Sequence, residues 1–182
     1  RPQQSEEGNA IVVQADNQTI ARDAVQYIYE VAKEQGKESV TPLIMVGDLG
    51  DPNAVGRYQG FYDVIDSDPE FFGEPIEVAT NWDAATAQAG LQAALAANPD
   101  VDFLFTSSDF LFPTIATEFE KLGKWVTRDD PNHVLMAGLD GDVNACRQIK
   151  DGYVDSTGVQ NLYFEPEVML DALIKAIEEG NT

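Results

Sequence analysis

The chain has 182 residues, enough for one domain with its own core and short of two full-sized ones. Its 32 Asp and Glu against 11 Lys and Arg give a formal net charge of −21, which repels a phosphate backbone, so no nucleic-acid partner is expected. One cysteine, Cys146, and one histidine, His133, allow neither an internal disulfide nor a zinc cluster, and no apolar run approaches the roughly 18 residues of a bilayer span, so neither metal nor membrane insertion is expected.

The opening Arg1-Pro2-Gln3-Gln4 lacks a charged n-region and an apolar h-region and reads as an internal start without a signal peptide. From residue 10 onward, short apolar runs alternate with longer helical patterns. Strands are predicted at residues 10–15, 41–46, 76–79, 102–106, 133–137 and 155–159, most of them rich in Val, Ile, Leu and Phe as strands covered on both faces should be. Helices are predicted between them at 19–35, 54–65, 83–98, 110–122 and 143–151, with a last one at 166–179. Gly36 and Gly123 are placed to follow helix C-termini, and Asp83, Asp109 and Asp142 are placed to cap helix N-termini. The rhythm predicts an α/β fold: three αβα layers around a doubly wound, mostly parallel sheet of flavodoxin-like type.

In such sheets ligands bind beyond the carboxyl ends of the strands. After the second strand, Gly47-Asp48-Leu49-Gly50-Asp51-Pro52-Asn53 makes a tight turn into a helix. It fits neither a Walker loop nor the dinucleotide fingerprint. Asn53 and Arg57, one helical turn apart, can face one ligand with an amide and a forked cation, or Arg57 can pair at the surface with a neighbouring Asp. Trp82, after the third strand, can stack on a sugar ring or seal the edge of the core. Ser107-Ser108-Asp109 follows the fourth strand, with Asp109 expected as a helix cap. Asp140, after the fifth strand, is the carboxylate expected to accept from two ligand hydroxyls, and Gln160, after the sixth, adds an amide at the same edge. Asn53, Arg57, Trp82, Ser108, Asp140 and Gln160 thus converge on one sheet edge and suit a polyhydroxylated ligand. No nucleophile has a plausible base: there is no Gly-x-Ser-x-Gly elbow, Cys146 lies within a helix, and His133 opens its strand instead of following it. Neither catalytic residues nor a cofactor are expected.

The blocks Gly47-x-x-Gly50, Arg57-x-x-Gly60-Phe61, Asn98-Pro99-Asp100-Val101-Asp102, Gly138-Leu139-Asp140-Gly141 and Ile149-Lys150-Asp151-Gly152-Tyr153 resemble, in order and spacing over about residues 10–180, the ribose/galactose-type periplasmic binding proteins of sugar ABC transporters. The resemblance implies that Asn53 and Arg57 face the ligand, Trp82 stacks on the ring, Asp140 binds hydroxyls and Gln160 is the closing amide. Ser108 stands where many members carry Asn, and Val55 where ribose-type members carry Arg. It further implies residues 1–17 as the remnant of an N-terminal lobe with the first hinge strand, 17–160 as the C-terminal sugar-binding lobe, and 161–182 as the return to the missing lobe, with hinge segments at 15–17 and 160–162. The apolar face of the last helix, with Val168, Leu170, Leu173, Ile174 and Ile177, then needs cover from elsewhere. The implied ligand is a monosaccharide or polyol, the implied partner a transporter permease, and the implied location periplasmic or extracellular. The effector-binding core of a LacI-type regulator shares the architecture and is the alternative; its DNA-binding module would lie upstream of Arg1.

Overall fold

The structure, a computed structural model, describes residues 2–4 and 11–180. Five parallel strands form the main sheet: β3 (Pro42–Val46), β4 (Ile76–Ala79), β5 (Phe103–Thr106), β6 (Leu135–Asp140) and β7 (Ser156–Val159). Their spatial order is β4-β3-β5-β6-β7, so the winding reverses between β3 and β5. Leu43 pairs with both Ile76 and Leu104, Phe103 with Leu135, and Ala137 with Ser156, which brings the carboxyl ends to one edge.

The strand sequences explain the three layers. Every residue of β3 and β5 is buried, and alternate side chains serve opposite faces. Ile44, Val46, Phe103, Phe105, Leu135, Ala137 and Leu139 pack with α1 (Asn17–Glu34) and α2 (Pro52–Ile65). Leu43, Met45, Leu104, Val134 and Met136 pack on the other face with α3 (Ala84–Ala97), α4 (Phe112–Lys121) and α5 (Val143–Asp151). Helix α1 presents Ala21, Ala24, Val25, Ile28 and Ala32, a stripe at helical spacing, and all five are buried. Its N-terminus is capped by Asp16, whose side chain accepts from the Thr19 amide, and Gly36 follows its end at φ 76°. Asp83 and Asp142 cap α3 and α5 as the sequence predicts.

Two expectations are corrected, and the first predicted strand is placed and shortened. β2 (Ile11–Val13) lies outside the main sheet and pairs antiparallel with β1 (Pro2–Gln4) in a separate two-stranded sheet, and residue 10 lies outside the described residues. The helix predicted at 110–122 is divided into a 3-10 turn, Asp109–Leu111, and α4, because Pro113 suits the first turn of a new helix. The strand predicted to end at residue 137 runs on to Asp140. The last helix, α6 (Phe164–Glu178), packs on β1 and β2 and buries no residue fully. Leu170, Leu173, Ile174 and Ile177 are exposed along it. No helix among the described residues is long and apolar enough to cross a membrane.

Candidate functional site

The reversal in strand order opens a crevice between the carboxyl ends of β3 and β5. Asp51 caps α2 by accepting from the Asn53 amide at 2.9 Å, and Pro52 occupies the first turn with its φ already suited to a helix. That start places Asn53 and Arg57 on one face. Arg57 is 5% exposed, and three elements supply its partners. Its Nε donates to Asn17 Oδ1 at 2.9 Å, its Nη1 donates to the Ser107 carbonyl at 2.6 Å, and its Nη2 lies 3.0 Å from Asp140 Oδ1. The expectation of a surface Arg paired with a neighbouring Asp is therefore corrected: the guanidinium is buried, and its carboxylate partner comes from the end of β6.

Asn53 Oδ1 accepts from Asn17 Nδ2 and from Gln14 Nε2, both at 2.8 Å. Gln160 Nε2 donates to Asn17 Oδ1 at 3.1 Å, and Ser108 Oγ donates to Asp140 Oδ2 in a short contact. Five of the six predicted residues thus belong to one continuous hydrogen-bonded network, with Asn17 and Arg57 as its junctions. Trp82 joins through its ring, whose centroid lies 5.7 Å from the Arg57 guanidinium carbon, within cation–π range. The indole is fixed from three directions. Its Nε1 donates to Asp51 Oδ2 at 3.2 Å, Asn81 and Trp82 both have left-handed backbone (φ 51° and 57°), and the ring lies so close to Gly47 that a Cβ there would overlap it. Trp82 is half-buried and outside both apolar core clusters, so it is not the core-edge seal.

Asp109 overturns its expected role. Its side chain caps no helix of its own; it is fully buried and accepts from the Gly141 and Asp142 amides at 2.8 and 3.1 Å and from Thr157 Oγ1 at 2.7 Å. Burial pushes its pKa up to about 6, against the opposing effect of the Thr157 hydroxyl and the two amides, while the charge of nearby Asp140 adds to the rise. Asp140 holds φ 136°, a conformation uncommon outside glycine.

Asn17 and Gln14 are the residues that sequence reasoning missed. Asn17 is buried, at 4% exposure, in the first turn of a helix predicted to start two residues later. A polar residue beside a strand end, at the entry to a helix, was the available signal. A cleft of about 190 Å³ adjoins the network, lined by Gln14, Ala15, Asn17, Pro52 and Gly56 among others. His133 lies at the opposite end of β6, bonded to the Val126 carbonyl and to Asp155, and Cys146 is exposed on α5. Among the described residues no three His, Cys, Asp or Glu side chains are grouped to hold a metal ion.

The chemical inventory is one of recognition. The contacts above engage three of the five guanidinium N–H groups, the network offers amide and hydroxyl donors beside carboxylate acceptors, and one flat aromatic stands over the cation. Such a set can exchange its internal bonds for those of a ligand rich in hydroxyls, with the ring supplying an apolar face.

Known proteins resemble this chain in both sequence and structure. A family model described as a periplasmic binding protein domain matches residues 1–182. The D-apiose import binding protein of Actinobacillus succinogenes is 27% identical over 139 residues, covering 76% of this chain and 42% of that protein. Among solved structures, an ABC transporter solute-binding protein from Burkholderia multivorans superposes with a TM-score of 0.78 at 24% identity, over 94% of this chain and 56% of that one. A periplasmic solute-binding protein from Actinobacillus succinogenes, solved with bound D-allose, gives 0.77 at 22% identity over 92% and 56%. The chain therefore spans about half the length of the proteins it matches.

Proposed function

The chain belongs to the periplasmic binding protein domain family, and from that premise we propose that it is the sugar-holding lobe of an ABC-transporter solute-binding protein. In this reading it binds a monosaccharide or related polyol without chemistry, outside the cytoplasm, for delivery to a membrane permease. Residues 17–160 form the lobe, 1–17 belong to the preceding lobe and first hinge strand, and 161–182 return toward that lobe. The packing of α6 on β1 and β2, away from the main sheet, supports the division, and so does its uncovered apolar face. Closure of the two lobes by hinge motion would bring a second set of contacts onto the sugar. D-allose in one structural neighbour and D-arabinose in another make pentoses and hexoses the first ligands to try.

One observation carries the reading: Asn53, Arg57, Ser108, Asp140 and Gln160, drawn from one helix start and three strand ends, meet in one network beside the Trp82 ring. In the proposed roles Asn53, Arg57, Asp140 and Gln160 bond ligand hydroxyls, Ser108 orients Asp140, and Trp82 stacks on the ring. Calorimetry of the full-length protein against a panel of pentoses and hexoses tests this. Trp82→Ala should weaken binding of the best sugar by about 1–3 kcal/mol, the cost of losing an aromatic anchor. An unchanged dissociation constant would remove Trp82 from the site, and no binding by any sugar of the panel would remove the function.

A further inference from the structure

The buried carboxylate of Asp109 makes none of the hydrogen bonds that join the six candidate residues, yet three donors from two other strands and their loops point at it. Gly141 N and Asp142 N donate from the turn after β6, and Thr157 Oγ1 donates from β7. Space has been cleared for it in β6: a Cβ at Gly138 would overlap the Asp109 carboxylate and the Phe112 ring. The turn it grips begins with Asp140, which sits at φ 136° and is followed by Gly141 at φ 74°. Two consecutive residues in this region do not hold themselves there when one is an aspartate. The external grip falls on the two amides that immediately follow Asp140, and Ser108, the neighbour of Asp109 in sequence, bonds the Asp140 carboxylate directly.

We infer that Asp109 is a positioning residue, which by clamping the Gly141 and Asp142 amides sets the backbone turn that presents the Asp140 carboxylate to Arg57 and Ser108. The inference rests on the reading of Asp140 and Arg57 as the polar heart of the site. It assigns to a residue outside the six candidates the geometry of the ion pair on which that site is built. The effect of the clamp is local, because its donors come from one turn and one side chain of β7. Replacing it would leave the two cores on either side of the sheet intact and would free the strained turn to relax toward ordinary backbone, carrying Asp140 away from the guanidinium.

The clamp also predicts how the pair responds to acid. The groups facing Asp109 are the Thr157 hydroxyl from β7, the apolar Phe112 from α4 and the glycine of β6, with Asp140 and Asp142 as the nearby ionisable side chains and Arg57 beyond Asp140. Its neighbours include no cation of its own, so protonation of Asp109 weakens the hold on both amides at once.

The test needs no sugar, so its outcome is independent of whether the site holds one. The ¹⁵N-labelled 182-residue chain is titrated by NMR from pH 7.5 to 4.5, following the Gly141 and Asp142 amides and the Arg57 Nε–H. All three should move in one transition with a midpoint near 6, the value to which burial raises Asp109. In Asp109→Asn, whose amide keeps the shape and one acceptor, that shared transition should vanish. In Asp109→Ala the Arg57 Nε–H should be displaced at pH 7.5, with the Trp125 indole signal at the far end of the sheet unmoved. Gly141 and Asp142 titrating while Arg57 stays still would show a clamp that does not position Asp140. A shared transition that survives in Asp109→Asn would assign it to a group other than Asp109, and either result overturns the inference. The wild-type titration alone can deliver the first of these, so the test stands even if a variant does not fold.

Discussion

Replacing Arg57 with lysine keeps the charge and removes the fork, and the geometry allows its cost to be worked out. The guanidinium makes three directed contacts, to Asn17 Oδ1, the Ser107 carbonyl and Asp140 Oδ1, at 2.9, 2.6 and 3.0 Å. These acceptors lie around a plane, and one ammonium group can satisfy Asp140 while leaving the other two behind. Hydrogen bonds to charged groups contribute about 1.5–3 kcal/mol each, so losing two sets a gross cost of about 3–6 kcal/mol. The site opens to solvent at the Asp140 side, whose side chain is 33% exposed, and water can reclaim part of the loss there. A net destabilisation of about 2–4 kcal/mol is expected, a large share of the stability of a domain this size. Urea unfolding of the 182-residue chain, followed by far-UV circular dichroism, reads it directly, with Arg57→Lys showing a lower midpoint and an unchanged slope. An unfolding free energy within about 0.5 kcal/mol of wild type would mean that the three contacts are not made together in solution, and the network would lose its centre.

Gly47→Ala places a methyl group where the Trp82 indole lies, so the ring must move; a stability loss of about 1–3 kcal/mol and a displaced Trp82 indole signal are expected, and an unmoved signal would contradict the close contact. His133 and Asp155 make a buried pair at 3.0 Å at the far end of β6. Burial lowers the His133 pKa, but the hydrogen bond and charge of Asp155 and the Val126 carbonyl outweigh it, and the net direction is upward. A raised histidine pKa contributes stability that is fully present below the unfolded value of about 6.5 and is lost as pH rises through the folded value. The unfolding free energy of wild type relative to His133→Gln should therefore fall between pH 6.5 and pH 9, and a difference that is flat or rises over that range would show that the pair does not carry a proton.

The parts of the fold that were legible in the sequence are those decided by local composition. Runs such as Leu43-Ile44-Met45-Val46 and Phe103-Leu104-Phe105 admit only strands covered on both faces, and the caps at Asp83 and Asp142 sit where their residue types suggest. What was not legible depends on partners distant in sequence. Gly138 reads as a loop signal beside Asp140 and Gly141, yet it lies inside β6, because its missing side chain makes room for Asp109. Asp109 reads as a cap because capping is what an aspartate at a helix entry does locally; its actual donors are 32, 33 and 48 positions away. Residues 11–13 have the composition of a strand, but composition does not say which sheet a strand joins, and here it joins β1.

That the six candidate residues stand together at one sheet edge was legible because the strand-end rule collects polar residues by topology, without needing their contacts. Their mutual bonding was not. Asn17, the junction that ties Asn53, Arg57 and Gln160 together, carries no signal beyond its place at the start of α1, and its importance comes from being the one buried side chain that both donates to Asn53 and accepts from the other two.

The two tryptophans provide the most direct test of the central claim. Trp82 stands at the strand carboxyl ends over Arg57, while Trp125 stacks on Tyr153 with ring centroids 5.3 Å apart, away from that edge. The indole N–H signals of the ¹⁵N-labelled chain, followed while pentoses and hexoses are added to tens of millimolar concentration, report on both places at once. On the proposed two-lobe reading, binding by this chain alone is expected to be weak, in about the millimolar range, where such shifts are readily followed. The account predicts that at least one sugar moves the Trp82 signal in a saturable way and leaves Trp125 in place. Saturable movement of Trp125 alone, or no movement of Trp82 with any sugar, would contradict it.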